Sequence, residues 1–126
     1  MTAYRGKENP MPDNDPHSGD IISSLPLADI PIPGVTARLL QAEDKQVLFM
    51  EFRESITVSE HAHEAQWGVV LAGQLELTMN GRKQVLKKGD SYYIPRGVPH
   101  EARYSKGFRD VMVFDQPDRY KPRTDK

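Results

Sequence analysis

The stretch His61-Ala62-His63-Glu64-Ala65-Gln66 puts two imidazoles two positions apart in a segment that otherwise reads as extended. A strand repeats its side-chain direction every second residue, so both rings should point to one face. Two convergent imidazoles are the start of a site for a divalent transition metal. A third, His100, follows the rigid loop Pro95-Arg96-Gly97-Val98-Pro99. The remaining histidine, His17, sits among Asn, Asp and Pro and reads as a solvated tail residue. The chain has no cysteine. A disulfide framework and a thiolate zinc cluster are therefore excluded, and any metal must be held by His, carboxylate, amide or water.

Composition removes several function classes. The 126 residues are enough for one domain with its own core. Basic and acidic residues number 17 and 18, interleaved, for a net charge of −1. No basic stripe marks a nucleic-acid surface and no polybasic patch marks an anionic membrane. No apolar run reaches the roughly 18 residues of a membrane span. The N-terminus carries no apolar signal region, which leads us to expect a cytoplasmic protein whose partner is a small molecule.

Many short strands must position the histidines. Residues 1–20 are polar, with Pro10, Pro12 and Pro16, and read as a disordered or loosely held tail. Residues 21–34, with Pro26, Pro31 and Pro33, read as an extended arm rather than a helix, lying across a sheet edge or onto a second subunit. Residues 35–115 read as the folded unit. Strands are predicted at Val35 to Gln41, Gln46 to Arg53, Ile56 to His63, Trp67 to Leu71 and Gln74 to Met79, then Arg82 to Leu86, Ser91 to Ile94, His100 to Tyr104 and Phe108 to Phe114. Asn80-Gly81 is the clearest hairpin signal, because a type I′ turn needs positive φ at both central positions. Residues 116–126 are a polar C-terminal tail. No window offers an amphipathic helix of three turns, so the pattern points to an all-β sandwich or small barrel.

Two segments then read together: His61-x-His63-x-x-Gln66-x6-Gly73, and Gly89-Asp90-x4-Pro95-x-Gly97-x2-His100. Here the chain resembles the cupin family, over Gln46 to Phe114. The resemblance implies a double-stranded β-helix, or jelly-roll barrel, with both motif hairpins in one barrel mouth. It also implies that His61, His63 and His100 are metal ligands, with the residue at the family's Glu position as the fourth. Counting back from Gly73, that position holds Gln66, one residue nearer His63 than the family pattern has it. The closing Asn of the second motif is Tyr104. Glu64 is the nearest acid, but a residue adjacent to His63 on a strand should face the opposite way. Gln66, through its amide oxygen, is therefore the expected fourth ligand and Glu64 the alternative.

Three imidazoles and an amide are all neutral, so the ion keeps its full charge, acts as a stronger Lewis acid and attracts anionic oxygens. The set departs from the two-His-one-carboxylate arrangement of non-haem iron oxygenases. Small cupins with Gln in this place include proteins acting on uronate-like sugars. The first reading is thus a metal-dependent enzyme (Fe, Mn, Ni or Zn) acting on a small anionic or polar metabolite, by isomerase- or lyase-type Lewis-acid chemistry or as a dioxygenase. Tyr93, Tyr104 and Glu51 are its candidate bases, and Arg53, Arg96 and Arg103 its candidate carboxylate-binding groups. The alternatives are a cupin that binds a small ligand without turnover and a structural cupin with a vestigial site. A homodimer, common among small cupins, is the expected assembly.

Overall fold

Alternation along the strands decides which side of each sheet is buried. In β2 (Gln46–Phe52), Gln46, Leu48, Met50 and Phe52 are buried, whereas Val47, Phe49 and Glu51 are only partly covered. β9 (Arg109–Phe114) repeats the rule with Asp110, Met112 and Phe114 inward. β4 (Gln66–Ala72) does so with Gln66, Gly68 and Val70. Together with β1 (Val35–Gln41) and β7 (Ser91–Ile94) they form a five-stranded antiparallel sheet in the order β1-β2-β9-β4-β7. A four-stranded antiparallel sheet holds β3 (Ile56–His61), β8 (His100–Tyr104), β5 (Gln74–Met79) and β6 (Arg82–Lys87), in that order. The computed structural model describes residues 20–124. The arrangement is the jelly-roll, double-stranded β-helix form expected from the sequence. No helix among the described residues is long and apolar enough to cross a membrane. His17 and most of the 1–20 segment lie outside the described residues.

Leu48, Leu75, Leu77, Val70, Phe108 and Phe114 are the most deeply buried apolar side chains and come from both sheets, so one core joins them. Asn80 and Gly81 take φ of 52° and 73°, the two positive values that a type I′ turn between β5 and β6 requires.

Some boundaries differ from the sequence reading. The strand expected to run through His63 stops at His61, and its register against β8 shifts between Val58 and His61. His63 therefore lies beyond the strand, in a loop tied down by Gly97 N–H donating to the His63 carbonyl and Asp115 N–H donating to that of Ala65, both at 2.9 Å. The last strand begins at Arg109 rather than Phe108. The arm is not wholly extended: Asp20–Ser23 forms one helical turn, α1. Beyond it the arm runs beside β1, with a bridge between Leu27 and Arg38 and with Leu39 N–H donating to the Pro26 carbonyl.

The C-terminal segment does more than its polar composition suggests. Gln46 is fully buried, and its side-chain Nε2 donates to the Tyr120 carbonyl at 2.7 Å while its Oε1 accepts from Tyr120 N–H at 3.0 Å. A further bridge joins Ala28 to Pro122, and Asp29 N–H donates to the Lys121 carbonyl. Residues 116–124 are thus a strap drawn back over the barrel.

Candidate metal centre

The three motif histidines meet. One ring nitrogen from each of His61, His63 and His100 falls in a group whose atoms all lie within 4.8 Å of one another. The ring centroids are 5.1, 4.4 and 4.7 Å apart for the pairs 61–63, 61–100 and 63–100. β3 delivers His61 and the first residue of β8 delivers His100, directly opposite it in register. The tied loop delivers His63, whose ring meets Phe114 edge-on at 5.4 Å.

Each ring is oriented by the main chain. His61 Nδ1 lies 3.0 Å from the Ser59 carbonyl, His63 Nδ1 2.6 Å from that of Glu64, and His100 Nδ1 2.9 Å from that of Val98. A carbonyl can only accept, so each Nδ1 carries the proton, and in the neutral ring Nε2 keeps its lone pair. Metal-binding histidines are oriented in the same way by partners of their second nitrogen. Burial pushes His63 down to about 4; its backbone acceptor opposes this, and the positive Arg119 adds to it. His100 is also lowered, again mainly by burial. Both rings are therefore neutral and able to ligate at pH 7, and the donor set fits a divalent ion.

Gln66, 5% exposed, lines the same cavity as the histidines. Its Nε2 faces the Tyr92 hydroxyl at 3.5 Å, at the outer limit of a hydrogen bond, and that hydroxyl donates to Asp110 Oδ2 at 2.8 Å. Tyr92 stands where it does because residue 68 is glycine: a Cβ there would come within 2.3 Å of the ring. Asp110 is wholly buried, and its Oδ1 has no partner. Burial pushes its carboxyl up to about 8, against the lowering effect of the Tyr92 hydrogen bond. The folded protein therefore holds this proton more tightly than the unfolded chain, whose ordinary value is 3.8. The stability linked to that proton is complete below pH 4 and is lost as pH rises toward 8. Asp110→Asn keeps an acceptor for Tyr92 and removes the titration. In urea unfolding, the variant's stability relative to wild type is expected to improve from pH 5 to pH 8, with a slope of up to about 1.4 kcal/mol per pH unit. A difference that is flat across that range would remove the argument.

Several sequence candidates lie elsewhere. Glu64 pairs with Arg96 at 3.1 Å and lines an outer groove that shares His63 and Arg119 with the histidine cavity, but it does not line the cavity itself. Glu51 pairs with Arg109 at 3.0 Å on the outer side of the five-stranded sheet. Tyr93 is 57% exposed on that same face. Arg53 donates to the Thr36 hydroxyl, and Arg103 lies on the outward side of β8. Only Tyr104 of these candidates lines the cavity, its ring stacked 4.2 Å from Phe52. The sequence reading missed Arg119, which reaches the cavity from the strap with Tyr120 beside it. The available signal was the aromatic Tyr120 next to a cation in an otherwise polar tail.

Comparison with known proteins agrees with this architecture. A family model described as "Cupin domain" matches residues 48–114. Mannose-1-phosphate guanylyltransferase ManC of Salmonella typhimurium is 40% identical over 47 residues, and the corresponding enzyme of Salmonella montevideo is 36% identical over 47. These matches span 37% of this chain and 10% of those relatives' length. Among solved structures, KdgF from Halomonas sp. aligns with TM-score 0.63 at 24% identity, covering 73% of this chain and 86% of that one. An RmlC-like cupin from Shewanella frigidimarina aligns with TM-score 0.66 at 22% identity, covering 86% and 96%. Oxalate decarboxylase of Bacillus subtilis, a protein with Mn(II) centres, aligns with TM-score 0.57 at 25% identity, covering 73% of this chain and 29% of that one.

Proposed function

We propose, from the premise that this chain belongs to the cupin family, that His61, His63, His100 and the amide oxygen of Gln66 hold a divalent transition ion at which a small anionic molecule binds in the cytoplasm. The observation that carries the reading is the set of three main-chain carbonyls holding Nδ1 protons, which leaves three Nε2 lone pairs for one centre. Such an ion, with no ligand carboxylate to neutralise it, supplies Lewis acidity of the kind used in isomerase- or lyase-type steps, and iron in the same place would favour dioxygenase chemistry. Manganese is the first candidate to load, given the Mn(II) centres named for the Bacillus subtilis oxalate decarboxylase. The test is elemental analysis of protein purified without a histidine tag. About one ion per chain is the expected result. A chain that stays metal-free and shows no shift in Tm on adding Mn(II), Zn(II), Ni(II) or Fe(II) would support the vestigial, structural reading instead.

A second reading, ligand binding without turnover, has one observation in its favour. Among the described residues no acidic side chain lines the histidine cavity, so no carboxylate base faces a bound molecule. Asp110, the nearest buried acid, is spent on Tyr92. Turnover assays on any molecule that stabilises the metal-loaded protein separate the two readings.

A homodimer through the outer face of the five-stranded sheet completes the proposal. Trp67 is 42% exposed there, opposite Tyr93 in register on one side and Val113 on the other, with Val47, Phe49 and Val111 on the same face. Contiguous apolar surface of this kind marks an interaction site. Trp67→Glu is expected to convert a dimer to a monomer in sedimentation velocity without loss of fold. A wild-type chain that sediments as a monomer would exclude this assembly.

A further inference from the structure

The histidine cavity has the wrong lining for a polyhydroxylated ligand. Its volume is about 250 Å³. Apart from the histidines, its depth is walled by apolar side chains from both sheets, among them Met50, Phe52, Leu75, Leu77, Ile94 and Met112. The arm adds Ile30, Pro31 and Ile32. Among the described residues, no Ser, Thr, Asn, Asp, Glu or Lys faces it. Of its other polar groups, the Tyr92 hydroxyl already donates to Asp110, which leaves the Gln66 amide, the Tyr104 and Tyr120 hydroxyls and Arg119. A ligand hydroxyl buried against that apolar wall would lose its water and gain no partner, which costs free energy at every such group. A cavity of about 150 Å³ already accommodates benzene, so this one has room for an apolar body of roughly six to ten carbons.

The cavity also has one cation, Arg119, which shares an outer groove with Glu64 and Asp118. Arg119 makes no ion pair among the described residues, and its Nε is buried without an acceptor. It is held by its faces instead: the guanidinium carbon lies 4.9 Å from the Tyr120 ring centroid and 5.7 Å from that of Phe114. Its strap is fixed in turn by the two Gln46–Tyr120 hydrogen bonds. Stacking of this kind leaves the in-plane donors of the guanidinium fork available, and the fork matches a carboxylate.

We infer that the ligand of this site is a small monocarboxylate with an apolar body, its hydrocarbon part filling the cavity and its carboxylate shared between Arg119 and the ion. The position of the carboxylate rests on the metal reading above; the apolar body and the Arg119 contact do not. Arg119 is thus a specificity-determining residue. The probes are hexanoate, glucuronate as the polyhydroxylated carboxylate of equal carbon count, and hexanol as the uncharged analogue. Each is titrated by calorimetry into the full chain, both Mn(II)-loaded and metal-free. Hexanoate is expected to bind the loaded protein at least about tenfold more tightly than glucuronate or hexanol. Arg119→Gln is expected to weaken hexanoate by at least about tenfold, with hexanol unchanged and Mn(II) content intact, and Arg119→Lys to recover part of the loss. Thermal unfolding of both variants checks the fold. Failure to bind hexanoate, glucuronate binding as tightly as hexanoate, or an Arg119→Gln variant that binds hexanoate like wild type overturns the inference. If the chain takes up none of Mn(II), Zn(II), Ni(II) and Fe(II), the metal reading fails alone: the hexanoate preference and its dependence on Arg119 are then read in the metal-free protein, where their absence overturns the inference as well.

Discussion

His100→Ala abolishes stoichiometric metal binding, with a fall in affinity expected to exceed about 100-fold. Loss of a group that merely orients a ligand already costs about 10- to 100-fold, and His100 is proposed as a ligand itself. Its ring is 3% exposed, sits nearly equidistant from the other two and carries its proton on the carbonyl side. Two imidazoles and an amide would remain, too few neutral donors to compete with water for a hard or borderline ion. The measurement is calorimetric titration with Mn(II) and Zn(II), together with the metal-induced rise in Tm, which should vanish in the variant because ligand binding stabilises only the state it binds. Glu64→Ala is the control. That carboxylate is engaged by Arg96 outside the cavity, so metal affinity should be unchanged. If Glu64→Ala lost the metal and His100→Ala kept it, the donor set proposed here would be wrong.

The largest effect on folding is expected at Gly73, between β4 and β5. Its φ is +78°, and a Cβ would come within 2.7 Å of the Phe108 Cα and 3.0 Å of its backbone nitrogen. Both neighbours are main chain, and Phe108 itself is fully buried, so neither can yield as a surface side chain could. Left-handed backbone costs a non-glycine residue about 1–2 kcal/mol, and overpacking a rigid neighbour costs about 1–3 kcal/mol more. Gly73→Ala should therefore lose about 2–5 kcal/mol, a drop of roughly 8–20 °C in Tm for a chain of this size. Gly81→Ala makes a sharp comparison. It has a similar φ, but nothing lies within 4 Å of the added carbon. Only the backbone term applies there, and equal losses at the two positions would show that the contact with Phe108 is unimportant.

Much of this architecture was legible because period-two alternation is a local signal. Leu75 and Leu77 face the core as their spacing requires, and Asn80-Gly81 turns as its conformational preference requires. The histidine cluster was legible for a related reason, although the route differed: His63 reaches the site from a loop held by Gly97 and Asp115, partners that no strand period predicts. What stayed hidden depends on contacts distant in sequence. Gln46 looks like a surface residue until its inward register with Leu48 and Met50 is combined with Tyr120, 74 positions later. The strap that carries Arg119 is held by backbone groups that bond the side chains of Gln46 and Gln41, by Tyr120 edge-on to Phe114, and by two aromatic-cation contacts. Hydrophobic patterning does not register attachments of that kind. The single helical turn at Asp20–Ser23 is too short for a periodic signal.

The ring protons of the cluster rest on the carbonyls of Ser59, Glu64 and Val98, and a carbonyl belongs to every residue type. Point substitution at those three positions cannot delete the acceptor; it can only move it. The donor geometry is therefore inherited from the path of the chain, and mutational scanning of positions 59, 64 and 98 should report tolerance where function is in fact being set. Redesign of ligand preference can proceed around the centre, at Arg119 and the apolar wall, without disturbing how its imidazoles are presented.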